Sequence, residues 1–215
     1  MACCPPEEPQ RCLPNPCAAD PGVAAATSDA FSVGGAWAEV AARLPLLVEC
    51  VERGQVPRSS GAWEKDFSIY TGVGGVGLAL LRVADFCGDE AAAAAAGIPP
   101  TDAAALRADC LQKAQRAAQV CLAGQPPNAQ YGVSFFLGTP GHLALAAVAS
   151  HRLNDPAAVA EHVGQLLARG WVDSALTHKD DELLYGRAGY LYALLWVKAS
   201  LGPACPHPAC SMPQL

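Results

Sequence analysis

Three copies of one short design constrain this chain more than any other feature. Each copy is a Gly-x-x-Gly turn leading into an apolar segment, at Gly72 to Gly75, Gly138 to Gly141 and Gly186 to Gly189. The clearest reads Tyr-Gly-Arg-Ala-Gly-Tyr-Leu-Tyr-Ala-Leu-Leu, from Tyr185 to Leu195. Sixteen residues beyond the first glycine of each copy stand Gly88, Asn154 and Gly202. Glycine and asparagine tolerate the left-handed conformation that closes a helix. The spacing therefore predicts a tight turn, a helix of about three turns and a C-terminal stop, three times over.

The segments between the copies differ in character. From Ala36 the residues Trp37, Val40, Ala41, Leu44, Leu47, Val48 and Val51 keep three-to-four spacing as far as Gly54, an amphipathic helix that Pro45 should kink. A polar linker follows, from Gly54 to Ser68. The alanine run Ala91 to Ala96 is helical in composition and is broken by Gly97, Pro99 and Pro100. Thr101 or Asp102 then caps a longer helix with the stripe Leu106, Cys110, Ala114, Ala117 and Cys121, closed by Gly124. Asp155 before Pro156 starts another, running to about Arg169 and stopping at Gly170. A polar connection through Thr177, Lys179, Asp180 and Asp181 leads to the third turn.

Helices after the glycine turns are apolar nearly all round, as buried helices must be, whereas those between have one wet face. Apolar residues make up 52% of the 215, alanine above all, and aromatics only 7%, so close-packed helices fit better than a sheet. The order is outer, inner, three times: helical hairpins that bury a continuous core only by stacking on neighbours. The expected fold is all-α, an arc of an α/α toroid.

A net charge of −6 with scattered basic residues gives no electrostatic case for nucleic acid. No apolar run approaches the roughly 18 to 20 residues of a membrane span, and the start lacks a secretory signal. The expectation is a cytoplasmic protein. Cys3 and Cys4 are candidate palmitate acceptors for a peripheral place at the plasma membrane, although Ala2 removes the accompanying myristoylation signal. Cys50, Cys87, Cys110 and Cys121 fall on apolar helical segments and read as free, inert thiols. Three regions result: a Pro- and Cys-rich leader over 1–29, a helical domain over 30–202 and a Pro- and Cys-rich tail over 203–215.

Two readings of the glycine turns stand side by side. They reverse the chain and let helices approach closely. Alternatively, because all three open an inner helix, they gather at one mouth, where helix N-termini offer free N–H groups and positive dipole ends to an anion or carboxylate.

The residues also resemble a family. SIYTGVGGVGLALL (Ser68 to Leu81), the Gly138 turn with HLALAAVASHRLND, and ELLYGRAGYLYALLWVKASLG (Glu182 to Gly202) are similar to the first three repeats of the eukaryotic LanC-like proteins. The leader segment Arg11-Cys12-Leu13-Pro14-Asn15-Pro16 looks like that family's Arg-x-Phe-Pro-Asn-Pro start. The resemblance implies a double-layered toroid of seven helical hairpins, of which this chain carries three. It implies, for the full family, a zinc held by two cysteines and a histidine that makes a thiolate near neutral pH. Bacterial members are lanthionine cyclases; eukaryotic members bind glutathione and add its thiol to dehydroamino acid residues in damaged proteins. The zinc ligands belong to later Cys-His-Gly repeats that this sequence lacks, so zinc and catalysis are expected to be absent from the chain taken alone. The other reading is a non-catalytic module that binds glutathione, a peptide or a partner, with self-association or a partner covering the open arc.

Candidate ligand-binding residues follow from position. Arg11 matches an N-terminal arginine near the family's glutathione site. His142 directly follows the second turn on the mouth side and is a pocket-lining candidate. Arg187, inside the third turn, either meets a ligand carboxylate or holds loop carbonyls. His151, His162 and His178 read as solvated or structural. In the tail, Cys205, His207 and Cys210 supply zinc-ligand types, but their spacing matches neither the family motif nor a common structural zinc pattern. Asp180, Asp181 and Glu182 raise a two-carboxylate glycosidase, yet adjacent residues do not set two carboxylates across a sugar bond.

Overall fold

The computed structural model describes residues 33–124 and 132–202. The leader with Arg11, Cys3 and Cys4, and the tail with Cys205, His207 and Cys210, lie outside the described residues.

Helix α1, Val33–Arg53, is continuous through Pro45. It stacks Trp37 on Phe86, with ring centroids 5.5 Å apart, and buries Cys50 and Val51. Gly54 closes it with φ of 62°. The linker that follows is not all irregular: β1 (Val56–Pro57) and β2 (Trp63–Glu64) pair antiparallel, Val56 opposite Glu64. Arg58 ties this hairpin to what comes next through Glu64 at 2.9 Å and Asp66 at 3.1 Å.

The first inner helix, α2, spans Val73–Gly88. Asp89 ends it and starts the short α3, Glu90–Ala95, its carboxylate accepting from the N–H groups of Ala91 and Ala92. Gly97 breaks α3 with φ of 75°. The long outer helix α4 covers Pro100–Gly124. It begins on Pro100 rather than on a side-chain cap from Thr101 or Asp102, proline being pre-set for a first helical position. Its stripe of Ala103, Cys110, Ala114, Ala117 and Cys121 is buried against α2 and the second inner helix, α5 (Thr139–Arg152).

Every residue of α5 from Pro140 to Ser150 is buried, the clearest outcome of an all-round apolar sequence. Asn154 closes the turn beyond it with φ of 59°, the one left-handed non-glycine among the described residues. Outer helix α6, Pro156–Leu166, is capped by Asp155 accepting from the Ala158 N–H at 3.0 Å. It stops three residues before Arg169. A separate helix, α7 (Arg169–Thr177), occupies what reads in sequence as connection, because Trp171, Val172 and Ala175 give it a core-facing side. Gly170 lies inside α7 and stops nothing.

The third inner helix, α8 (Arg187–Leu201), packs on α5 and is closed by Gly202 with φ of 60°. It differs from the all-round burial its composition predicts. Gly189, Tyr190, Ala193, Val197 and Leu201 are buried, while Leu191 and Leu195 are 58% and 65% exposed. One face meets α5 and, through the Tyr190 hydroxyl donating to the Leu166 carbonyl at 2.8 Å, the end of α6; no described element covers the other. At the C-terminal ends Arg152 joins all three inner helices, donating to Asp85 at 2.8 Å and to the Ser200 carbonyl at 3.3 Å. The described residues are thus all-α apart from one two-residue ladder, with outer helices laid over the inner order α2, α5, α8.

Candidate functional site at the three glycine turns

The turns share one geometry to the level of single hydrogen bonds. In each, the first glycine's N–H donates to the carbonyl four residues back: Gly72 to Ser68, Gly138 to Ser134, Gly186 to Glu182. In each, the second glycine's N–H donates to the first glycine's carbonyl. The side chain four residues before the first glycine caps the turn from within. Ser68 Oγ accepts from Thr71 N–H at 3.1 Å, Ser134 Oγ from Leu137 N–H at 3.0 Å, and the Glu182 carboxylate from the N–H groups of Leu184 and Tyr185. Sequence reading missed these three caps. Their signal was present: an oxygen-bearing side chain at the same place in every copy.

Glycine is required by approach rather than by φ. The first glycines have φ of −114°, −109° and −104°, open to any residue. A Cβ on Gly75 or Gly189 would stand 2.5 Å from a carbonyl oxygen six residues back, that of Ile69 or Leu183. On Gly141, Gly72 or Gly186 it would fall closer still to the carbonyls of Phe135, Asp66 and Asp180. The preceding loop therefore lies flat on the start of each inner helix, and that contact excludes a side chain.

The same contact uses up N–H groups. Val73 N–H donates to Asp66 O at 2.8 Å and Arg187 N–H to Asp180 O at 3.0 Å, beside the glycine N–H groups already described. The reading of these helix starts as a set of free donors is narrowed accordingly: the chain's own loops accept from the N–H groups just named, while those of Gly74, Thr139 and Ala188 meet no backbone acceptor among the described residues.

The turns do gather at one mouth. Ile69 N–H of the first donates to the Phe136 carbonyl of the second at 2.8 Å. A Cβ on Gly189 of the third would meet backbone atoms of Ser134 and Phe135 in the second. Tyr192 of α8 completes the seam, its ring 4.9 Å from Phe135 edge-on and stacked at 6.1 Å with Phe136. Beside the first turn an open groove of about 480 Å³ is lined by Leu47, Ile69, Thr71, Gly75, Ala79 and Arg82.

Of the candidate ligand residues, Arg187 stands at this mouth, half-exposed, and donates to the Asp181 carboxylate. That partner is neither of the two foreseen for it. His142 is fully enclosed in α5, and neither ring nitrogen has a hydrogen-bond partner among the described residues. Burial pushes its pKa down to about 4, against smaller opposing pulls from the Phe67 carbonyl and the Asp66 carboxylate. The ring is therefore neutral near pH 7 and faces packed protein rather than an open groove. Asp66 organises the first turn. Burial alone would raise its pKa, but hydrogen bonds from Thr71, Ser68 and Arg58 outweigh that and hold it below the usual carboxylate range.

The described residues do not form a zinc donor set. No group of three or more His, Cys, Asp or Glu among them is placed to hold a metal ion. The four described cysteines are free and buried, and burial pushes Cys110 up to about 11 and Cys121 up to about 12, away from the thiolate a metal needs.

No helix among the described residues is long and apolar enough to cross a membrane. A family model for lanthionine synthetase C-like proteins matches residues 64–206. The glutathione S-transferase LANCL1 of Danio rerio is 30% identical over 194 residues, covering 87% of this chain. The chain spans 42% of the length of that relative. The match begins at the first hairpin, takes in all three turns and runs through α8, so this chain belongs to the lanthionine synthetase C-like family.

Proposed function

We propose that this chain forms the N-terminal arc of a LanC-like protein whose reaction is the addition of a glutathione thiol to dehydroamino acid residues in peptides. The observation that carries the reading is the threefold turn, repeated bond for bond and gathered at one mouth, within a sequence matched to a relative named as a glutathione S-transferase. In that reaction the thiolate sulfur bonds to the β-carbon of dehydroalanine, the double bond opens, and a proton is taken up at the α-carbon. In the full family reading a bound zinc would lower the pKa of the glutathione thiol so that it reacts as the thiolate, and no group of described residues of this chain is placed to hold that metal. The residues of this chain would act by shape and charge. Arg187 would bring positive charge to the rim, Arg11 is the leader's candidate for a glutathione carboxylate, and His142 would support the second turn as a neutral ring.

The arc taken alone is proposed to be inactive, in a cytoplasmic protein. The test is mass spectrometry of a dehydroalanine peptide with glutathione. The adduct should be missing with this chain and present when a LanC-like C-terminal half is joined after Gly202. No adduct from the joined protein, with its helices intact, would defeat the proposal.

The exposed apolar face of α8 favours a second reading, an interaction module whose arc is covered by a partner or another copy. Leu191→Ser with Leu195→Ser should then lower the mass seen by light scattering, and an unchanged mass would remove this reading.

A further inference from the structure

A second cavity, of about 710 Å³, lies at the far end of α2 from the glycine turns, between Gly88, α3 and the first turns of α4. Its volume is within the roughly 300–1,000 Å³ usual for small-molecule sites. The walls are apolar, with Ala93 and Ala103 buried and Ile98 packed against the core. Two charged side chains also line it, Arg107 and Glu90.

Arg107 is the anomaly. The other half-buried arginines of the described residues each meet a carboxylate: Arg58 with Glu64 and Asp66, Arg152 with Asp85, Arg187 with Asp181. Arg107 meets none among the described residues, although the solvent-exposed Glu90 lines the same cavity. Of the acids nearby in sequence, Asp85 is engaged by Arg152, Asp89 by the first N–H groups of α3 and Asp102 by the Thr101 hydroxyl, while Asp109 is exposed and makes no ion pair with Arg107. Gly88 also leaves the guanidinium room. A Cβ on Gly88 would stand 2.9 Å from Arg107 Nε, so Gly88, which is helical rather than left-handed, leaves room for that side chain to lie along the wall.

A cavity whose guanidinium and carboxylate have no ion-pair partner among the described residues, and whose remaining lining is aliphatic, is complementary to a ligand carrying both charges and an apolar group. We propose that it binds a zwitterion of amino-acid or dipeptide size, with its carboxylate on Arg107, its ammonium on Glu90 and its aliphatic side chain against Ala93, Ile98 and Ala103. The site is separate from the mouth, since the sixteen residues of α2 span about 24 Å, and it does not rest on the thiol-addition reading.

The test is isothermal titration calorimetry of the full chain with L-leucyl-L-leucine and L-leucine, and with 4-methylpentanoate and isoamylamine as probes lacking one charge. At least one zwitterion should bind saturably, and each single-charge probe should bind about tenfold more weakly or not at all. Arg107→Gln should weaken the zwitterion by about tenfold or more, and Glu90→Gln should weaken it while leaving 4-methylpentanoate unaffected. Gly88→Ala, which displaces the guanidinium without removing it, should reproduce the loss at unchanged helix content. That variant decides the matter if Arg107→Gln fails to fold. Absence of saturable binding by both zwitterions up to about 10 mM, or equal affinity in wild type, Glu90→Gln and Gly88→Ala, would overturn the proposal.

Discussion

Substituting alanine at Gly189 separates two explanations of the repeated glycines by the sign of the effect. If Gly189 were merely a helical glycine, alanine would stabilise by up to about 1 kcal/mol, the usual gain in helix propensity. The structure gives the opposite result. The added methyl carbon would stand 2.5 Å from Leu183 O, 2.9 Å from Phe135 N and 3.0 Å from Ser134 Cα. Ordinary contact begins near 3.5 Å, so those atoms must retreat by about 0.5 to 1 Å. All three are backbone atoms, two of them in a different turn, and no flexible side chain can yield instead. Overpacking of this kind costs about 1–3 kcal/mol, which outweighs the propensity gain. The internal control is Gly164, inside α6, where an added Cβ meets nothing within 4 Å. Gly164→Ala should raise the melting temperature and Gly189→Ala should lower it, each by roughly 2–4 °C per kcal/mol, followed by circular dichroism. Equal or higher stability for Gly189→Ala would refute the close-approach account of all three turns.

Acid should act in two windows. His142 binds its proton less readily folded (about 4) than unfolded (about 6.5), so stability falls as pH drops from about 6.5 toward 4, by roughly 1–3 kcal/mol, and a His142→Met variant should lose that slope in urea titrations. Asp66 is shifted down, so its contribution is present above its unfolded value and is lost only as pH falls below about 4; Asp66→Asn should flatten that lower window. The four described cysteines should resist iodoacetamide at pH 8 in the folded chain and react in urea, and rapid native labelling of Cys121 would contradict its burial. Replacing Arg152 with methionine should cost about 1 kcal/mol, with a double-mutant cycle against Asp85→Asn showing coupling between α2 and α5; additive effects would mean the pair holds nothing.

What the sequence revealed and what it hid divide along a physical line. The turns and the starts of all three inner helices were legible because Gly-x-x-Gly followed by an apolar run is a local pattern. The left-handed stops at Asn154 and Gly202 were legible for the same reason. Gly88 was not, because its glycine serves a contact with Arg107 on another helix. Helix α7 escaped because it is short, carries Gly170 near its start, and turns only Trp171, Val172 and Ala175 toward the core. The pairing of Val56 with Glu64 is a long-range fact about two dipeptides that no periodicity announces. At the mouth, adjacency of the turns was foreseeable from the alternation of helices. The occupation of several of their N–H groups was not, since it depends on loops folding back four and seven residues. The burial of His142 was hidden likewise, because a helix apolar on all sides gives no clue to which side holds an open groove.

The central helix α5 carries a consequence of its own. Alanine is its commonest buried residue, with Ala144, Ala146, Ala147 and Ala149 enclosed beside Leu143, Leu145 and Val148. Alanine has no side-chain rotamers to lose, so this helix orders without that entropic cost. At those positions it also lacks the tall ridges that interlock neighbouring helices and resist sliding along their axes, leaving Leu145, which packs beside Gly77 of α2, among the few that do. Contacts at its tips add to that hold. Here the Phe136 carbonyl, just ahead of α5, receives Ile69 N–H at one end, and Arg152 reaches Asp85 and Ser200 at the other. These two polar fastenings, about 20 Å apart along fourteen residues, pin the axial register of α2 and α5 where alanine packing resists sliding least.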